Sequence, residues 1–203
     1  MGYLAIIFGA YLIGSSNMAF YLSKLQKKNI RSSGSGNLGA SNAVILLGWK
    51  AGVLVGIHDI GKAVLAVLLA NWLYPELEYA AVSAGVACVL GHIYPFYLKF
   101  KGGKGFASYL GMTIALNWKL ALVVLILVVV VTLVTDYIVA ATATTVVTVP
   151  VAMGIMTRSW IIGLILCVAT AVIIYKHWEN FVRIFKGTEI KFRSAAKGEH
   201  RMK

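Results

Sequence analysis

The stretch Phe100-Lys101-Gly102-Gly103-Lys104-Gly105 cuts into an otherwise apolar chain, and the short apolar run behind it, 106–117, decides how many helices the fold has. Three glycines and two lysines in six residues bring unusual chemistry to such a sequence. Lacking Cβ atoms, the glycines let neighbouring N–H groups turn toward one point, and a concave row of amides binds anions. A helix starting just after it adds its positive end. Lys101 and Lys104 supply compact charge suited to phosphate. The alternative is a glycine-rich turn whose lysines rest at a membrane surface, and the stretch alone does not choose.

Composition leaves one class for the rest. Of 203 residues, 60% are hydrophobic and 13% charged, about half the roughly 25% charge of soluble domains. The chain is therefore an integral membrane protein, with the lipid bilayer as its surroundings. A net charge of +12 would suit nucleic acid. Nearly all of the lysines and arginines lie in loops between apolar spans or in the tail, however, which excludes nucleic acid as a partner. Cys88 and Cys167 sit inside apolar runs, far from any Cys-x-x-Cys spacing, and are expected to be small buried hydrophobes. The segment 4–20 lacks a basic n-region and an obvious processing site, so it is expected to be a retained first helix.

A spanning helix needs about 20 mostly apolar residues. Spans are expected near 3–22, 51–71, 78–98, 119–135, 137–156 and 159–176. The run 106–117 is shorter, a thin tilted span or a half-helix packed against protein. Counting it gives an all-α fold of seven transmembrane helices with termini on opposite sides. Charge placement agrees. The loop 23–50, the loop 99–105 and the tail from Lys176 hold sixteen of the 19 lysines and arginines. The positive-inside rule puts these segments in the cytoplasm and the N-terminus outside. Trp49, Trp72, Trp118, Trp160 and Trp178 all fall at expected helix ends, as an interfacial belt would. One membrane-embedded domain, 1–203, with a basic cytoplasmic tail over 177–203, accounts for the whole chain.

Three polar patches share one side. The first, Ser32 to Asn42, is dense in Gly, Ser and Asn. It is either a flexible loop ahead of a helix capped by Ser41 or Asn42, or a site, as long polar loops often are. The second is Gly91-His92-Ile93-Tyr94-Pro95 with Phe100 to Gly105. A lone His92 at a span end reads more readily as packing than as a catalyst. The third is Tyr175-Lys176-His177-Trp178-Glu179-Asn180 with Arg183 and Lys186 to Glu189. If the last helix runs through it, His177 and Asn180 share a face, while Glu179 points elsewhere. A snorkelling helix end is the alternative. Within the bilayer lie His58, Asp59 and Lys62, either a functional site or a neutralising pair. The threonines Thr142, Thr144, Thr145 and Thr148 bond their own helix or a neighbour in most such runs.

Taken in order, Gly34-Ser35-Gly36-Asn37-Leu38-Gly39-Ala40-Ser41-Asn42, Gly91-His92-x-x-Pro95 with Phe100-Lys-Gly-Gly-Lys-Gly105, and Tyr175-Lys-His177-x-Glu179-Asn180 resemble the bacterial acyl-phosphate:glycerol-3-phosphate acyltransferases, the PlsY family. Each patch alone is a weak signal, whereas the ordered three are specific and cover essentially the whole chain. The resemblance implies a seven-helix enzyme of the bacterial inner membrane with its active site on the cytoplasmic side. It would move a fatty acyl group from acyl phosphate to glycerol 3-phosphate, giving 1-acyl-glycerol 3-phosphate for phospholipid synthesis. Carried over by matching motif, Ser35, Lys104, His177 and Asn180 become the central catalytic residues. Substrate phosphates would be held by Gly36, Asn37, Gly39, Ser41, Asn42, Lys101, Gly102, Gly103, Gly105 and Thr142. No cofactor and no metal are expected, since His92 and His177 lack clustered carboxylate or cysteine ligands.

An acyl phosphate is already activated, so the expected mechanism is direct attack by the acceptor hydroxyl, the proton passing to His177 or to the departing phosphate. Positioning and charge stabilisation would supply most of the rate. The chain departs from the family pattern at Leu38 (usually Pro), Ser41 (usually Thr) and Ile45 (usually Arg), and His58 and Ala63 replace the usual flanks of Asp59 and Lys62. Isoleucine offers no bidentate phosphate grip, which leaves replacement by Lys50, weaker binding or another phosphorylated acceptor as alternatives. A small anion transporter is the reading from a different class, but it would show internal repeats and midplane binding residues. No repeat is evident, and only Asp59 and Lys62 favour it. The expectation that joins these readings is that the three patches fold together into one pocket for phosphorylated groups.

Overall fold

The structure, a computed structural model, describes residues 1–32 and 36–196, without the side chains of 195 and 196. The chain packs as two compact units, Met1–Leu116 and Asn117–Lys203, and every regular element among the described residues is helical.

The first unit holds α1 (Gly2–Ser15), α2 (Met18–Leu25), α3 (Ala40–Leu47), α4 (Trp49–Leu73), α5 (Ala80–Ile93), a single 3-10 turn at Phe96–Leu98, and α6 (Phe106–Leu116). Lipid tails are as apolar as leucine, so helices in a bilayer associate by close backbone packing at small residues. Glycine provides it here. A Cβ on Gly14 would collide with the Cys88 carbonyl, one on Gly91 with that of Tyr11, and one on Gly111 with that of Ile60. These collisions fix the α1–α5 and α4–α6 crossings.

The first span is broken, where the sequence predicts one helix over 3–22. Ser16 is extended (ψ 129°), and the Asn17 side chain accepts the Phe20 N–H at 2.9 Å, starting a new helix. The Ser16 carbonyl freed by the break accepts from the Lys62 ammonium at 2.7 Å. Below the break a small core of Ala19, Ile30, Leu38, Ala43, Val55 and Leu98 ties α2, α3 and α4 to the connecting loops. Leu38 is buried in it.

The second unit holds α7 (Trp118–Thr135), α8 (Ile138–Thr157), α9 (Trp160–Lys176), α10 (Trp178–Phe185) and α11 (Phe192–Ala196). Pro150 lies inside α8 and has no N–H for the carbonyl of Val146. The Thr170 hydroxyl of α9 donates to that carbonyl at 2.6 Å, so the proline locks two helices together. After α10 the chain turns at Gly187 (φ +68°) and returns to the end of α7. There the amides of Phe192 and Arg193 donate to the Asp136 carbonyl and carboxylate at 2.8 and 2.9 Å.

Among the described residues five spans, counting α1 and α2 as one and α5 with its 3-10 turn as one, are long and apolar enough to cross a membrane, and the bent pair α9–α10 makes a sixth if it is one span. The eleven residues of α6 reach about 16 Å, half the roughly 30 Å hydrocarbon core. All five tryptophans stand in the first or last turn of a helix and are exposed. Cys88 is buried as expected. Cys167 is not: it lies on an exposed face of α9, because an apolar side chain in lipid has no need of a core.

Candidate functional site

The Gly-Lys loop is folded by its own backbone. The amides of Gly102 and Gly103 donate to the carbonyls of Ile93 and His92 at 3.0 and 3.1 Å, and Lys101 N donates to Leu98 O at 3.2 Å. Two of the glycines therefore serve close approach: a Cβ on Gly102 would meet Pro95 Cδ at 2.6 Å, and one on Gly103 would overlap the His92 ring. Their N–H groups are committed to α5, as in a braced turn, one of the two readings the stretch allowed. What the loop presents instead is Lys101, Lys104 and the first turn of α6, whose leading amides have no partner within their own helix. Gly105 (φ +93°) makes the turn into α6 in a conformation that favours glycine. One turn on, the Ser108 hydroxyl is buried with no hydrogen-bond partner among the described residues.

The first patch is bound to this loop. Arg31 donates from one terminal nitrogen to the carbonyls of Leu98 (2.9 Å) and Lys101 (3.2 Å). Gly36 turns with φ +66°, where a Cβ would stand 3.0 Å from the Arg31 carbonyl. The chain then enters α3 at Ala40 with Gly39 as its cap residue and no side-chain cap, so neither Ser41 nor Asn42 caps it as the loop reading predicts. Buried Asn42 instead donates to the carbonyls of Ile30 (3.1 Å) and Asn37 (3.0 Å), pinning the loop, while Ser41 is exposed. Ser35 lies outside the described residues. Ile45 is exposed on α3. Lys50, one of the alternatives for an arginine there, is exposed with its ammonium 5.9 Å from the Trp49 ring centre.

In the second unit the expected continuous helix bends by 50° between α9 and α10, with His177 at the bend. His177 and Asn180 are both buried. His177 Nδ1 lies 2.8 Å from the Ile173 carbonyl. A carbonyl only accepts, so Nδ1 carries a proton, and in the neutral form of the ring Nε2 is the basic nitrogen. Asn180 donates to Glu189 Oε1 at 2.7 Å, and Arg183 Nε donates to Glu189 Oε2 at 2.6 Å. Glu179 faces outward, as its position relative to His177 predicts. Thr142 and Thr144 return their hydroxyls to Ile138 and Ala140 of their own helix.

Sequence reasoning counted Arg31 only among the basic residues of the loop 23–50 and placed Glu189 only at the end of the third patch. Their partners come from elsewhere in the chain, and spacing carries no such signal for Arg31. For Glu189 the tight turn at Gly187 was the available clue. Among the described residues no three His, Cys, Asp or Glu side chains are grouped to hold a metal ion.

Comparison with known proteins gives a consistent answer. The family model described as glycerol-3-phosphate acyltransferase matches residues 4–187. A relative from Coxiella burnetii (strain CbuG_Q212), named glycerol-3-phosphate acyltransferase, is 37% identical over 95% of this chain and 100% of its own length. One of the same name from Geotalea daltonii is 35% identical over 94% and 97%. Among solved structures, the glycerol 3-phosphate form of PlsY (YgiH), an integral membrane glycerol 3-phosphate acyltransferase, superposes with a TM-score of 0.88 at 32% identity, covering 96% of this chain and 97% of that one. Its lysophosphatidic acid form gives 0.86 at 31% identity, over 97% and 99%.

Proposed function

The chain belongs to the glycerol-3-phosphate acyltransferase family, and from that premise we propose how its residues perform the transfer and which donor they use. It is an integral membrane enzyme that acylates glycerol 3-phosphate in phospholipid synthesis. The donor is acyl phosphate. The acceptor hydroxyl attacks the acyl carbonyl, the new C–O ester bond forms, the bond to the phosphate oxygen breaks, and inorganic phosphate leaves with the electron pair. The hydroxyl proton passes to His177 Nε2 or to the departing phosphate.

Lys104 and Lys101, carried to the start of α6 by the Gly-Lys loop, hold substrate phosphate, with Gly102, Gly103 and Gly105 shaping the turn. The observation that carries this reading is the bonding of the loop to α5: its glycine amides fix the backbone, so the lysines are delivered by a braced turn. Gly36, Asn37, Gly39, Ser41 and Asn42 supply further polar groups, Ser35 orients the acceptor, and Asn180, braced by Glu189, positions the neighbouring groups. Thr142 contributes at most its hydroxyl oxygen, since its proton goes to Ile138. Preorganised donors aimed at developing charge are the largest usual source of rate in acyl transfer.

The two units together form one acyltransferase domain. Seven helices cross or enter the bacterial inner membrane, α6 being the short one. The N-terminus lies outside, and the three patches and the C-terminus lie in the cytoplasm, where the basic loops are retained. Direct attack is tested by incubating the enzyme with radiolabelled acyl phosphate alone and precipitating it. No label on the protein is expected, and stoichiometric label on Ser35 would replace direct attack with a covalent route.

A further inference from the structure

One group of buried polar side chains in the first unit takes no part in the chemistry above. Asp59 and Lys62 lie in the interior of α4, and His92 sits at the end of α5; they are 1%, 6% and 3% exposed. The Lys62 ammonium has three acceptors within bonding distance: the Ser16 carbonyl at 2.7 Å, Asp59 Oδ1 at 2.9 Å and His92 Nδ1 at 2.9 Å. An ammonium has three protons and only donates, so the three acceptors match it. With Lys62 donating, His92 Nδ1 accepts and Nε2 carries the ring proton; Asp59 Oδ1 lies 3.3 Å from the same Nδ1. His58 extends the group outward, with Nε2 3.1 Å from the Ser16 hydroxyl and Nδ1 3.5 Å from Asp59 Oδ1.

The far side of His92 is the Gly-Lys loop. Its carbonyl accepts the Gly103 amide, and its ring lies where a Gly103 side chain would be. Lys62 thus joins two breaks in helical structure: the Ser16 carbonyl at the α1–α2 break, and, through His92, the loop that leads to Lys104. Burying a lone ammonium in hydrocarbon is costly. Neutralisation alone requires only Asp59; it does not require that the third proton reach the one residue beneath Gly103.

We propose that Asp59, Lys62 and His92 form a positioning device for the Gly-Lys loop, holding Gly102 and Gly103 so that Lys104 meets the phosphate of glycerol 3-phosphate. This rests on the reading that the loop binds substrate phosphate. The three residues act through the loop backbone and touch no reacting atom. They belong to binding, so their loss shows in KM ahead of kcat.

The test uses the full-length enzyme in lipid with acyl phosphate and glycerol 3-phosphate. Lys62→Met is expected to raise KM for glycerol 3-phosphate tenfold or more while kcat stays within about threefold. Amide exchange at Gly102 and Gly103 is expected to quicken at least tenfold. If Lys62→Met does not fold, His92→Ala and His92→Asn carry the same test, asparagine being expected to recover part of the KM lost with alanine because it keeps an acceptor near Nδ1. Folded variants with unchanged KM and unchanged exchange overturn the proposal, as does a lowered melting temperature with no change in KM. Lys104→Ala separates the two readings. A raised KM there beside an unchanged KM in Lys62→Met removes the positioning device alone. An unchanged KM in Lys104→Ala, with exchange quickened in Lys62→Met, removes the phosphate reading and with it the role in substrate binding.

Discussion

His177 is where residue chemistry bears most directly on the reaction. Its Nδ1–H is held by the Ile173 carbonyl at 2.8 Å, one helical turn back on α9, so the ring orientation and tautomer are set by backbone. A base fixed in this way loses little entropy on reaction. His177→Asn retains an amide able to donate to Ile173 but has no basic nitrogen. We expect kcat to fall by about 10²-fold or more, the usual contribution of a positioned acid–base group, with KM for glycerol 3-phosphate changed much less; steady-state kinetics in lipid reads both. A kcat within a few-fold of wild type would assign the proton to the departing phosphate. Asn180 depends on its neighbours in another way, since its amide and Arg183 share the two oxygens of Glu189.

At the scale of elements, glycine decides which helices meet. Gly111 of α6 faces the Ile60 carbonyl of α4 with no room for a Cβ, whereas a Cβ on Gly9 would meet nothing within 4 Å. Gly111→Leu is expected to destabilise the first unit by at least the roughly 1–3 kcal/mol of an overpacked core, read as a lowered melting temperature in detergent. Gly9→Leu is expected to leave it within a degree or two. Spans were legible in the sequence because hydrocarbon thickness sets a length, and the apolar runs meet it within a few residues at either end. The α1–α2 break was not legible. Ser16-Asn17 is too mild a signal to stop a helix alone, and the groups that stabilise the break, Lys62 and Leu38, come from distant segments. The bend at His177 was hidden for a similar reason, since no proline or glycine marks it.

For the whole molecule, the ordered motifs made the family legible, and the residues around them gave only part of the site's physics. The glycines of Phe100–Gly105 suggested free amides; the structure uses two of those amides to fasten the loop, which spacing cannot reveal. Arg31 holds the first patch against that loop, a contact between segments 70 residues apart. Charge asymmetry, by contrast, is a property of the entire chain and yields an orientation. In a Cys167→Ser background, Glu76→Cys is expected to react with an impermeant maleimide on intact cells, and Lys191→Cys only after lysis. The reverse pattern would invert the topology.

The most direct measurement of the central claim is acyl transfer by the purified enzyme in lipid, with labelled glycerol 3-phosphate and either acyl phosphate or acyl-CoA as donor. The account predicts labelled lysophosphatidic acid and one equivalent of inorganic phosphate from acyl phosphate alone, with the product lost in His177→Ala and cut at least tenfold in Lys104→Ala at glycerol 3-phosphate near the wild-type KM. Equal product from acyl-CoA, or full activity in both variants, would contradict it.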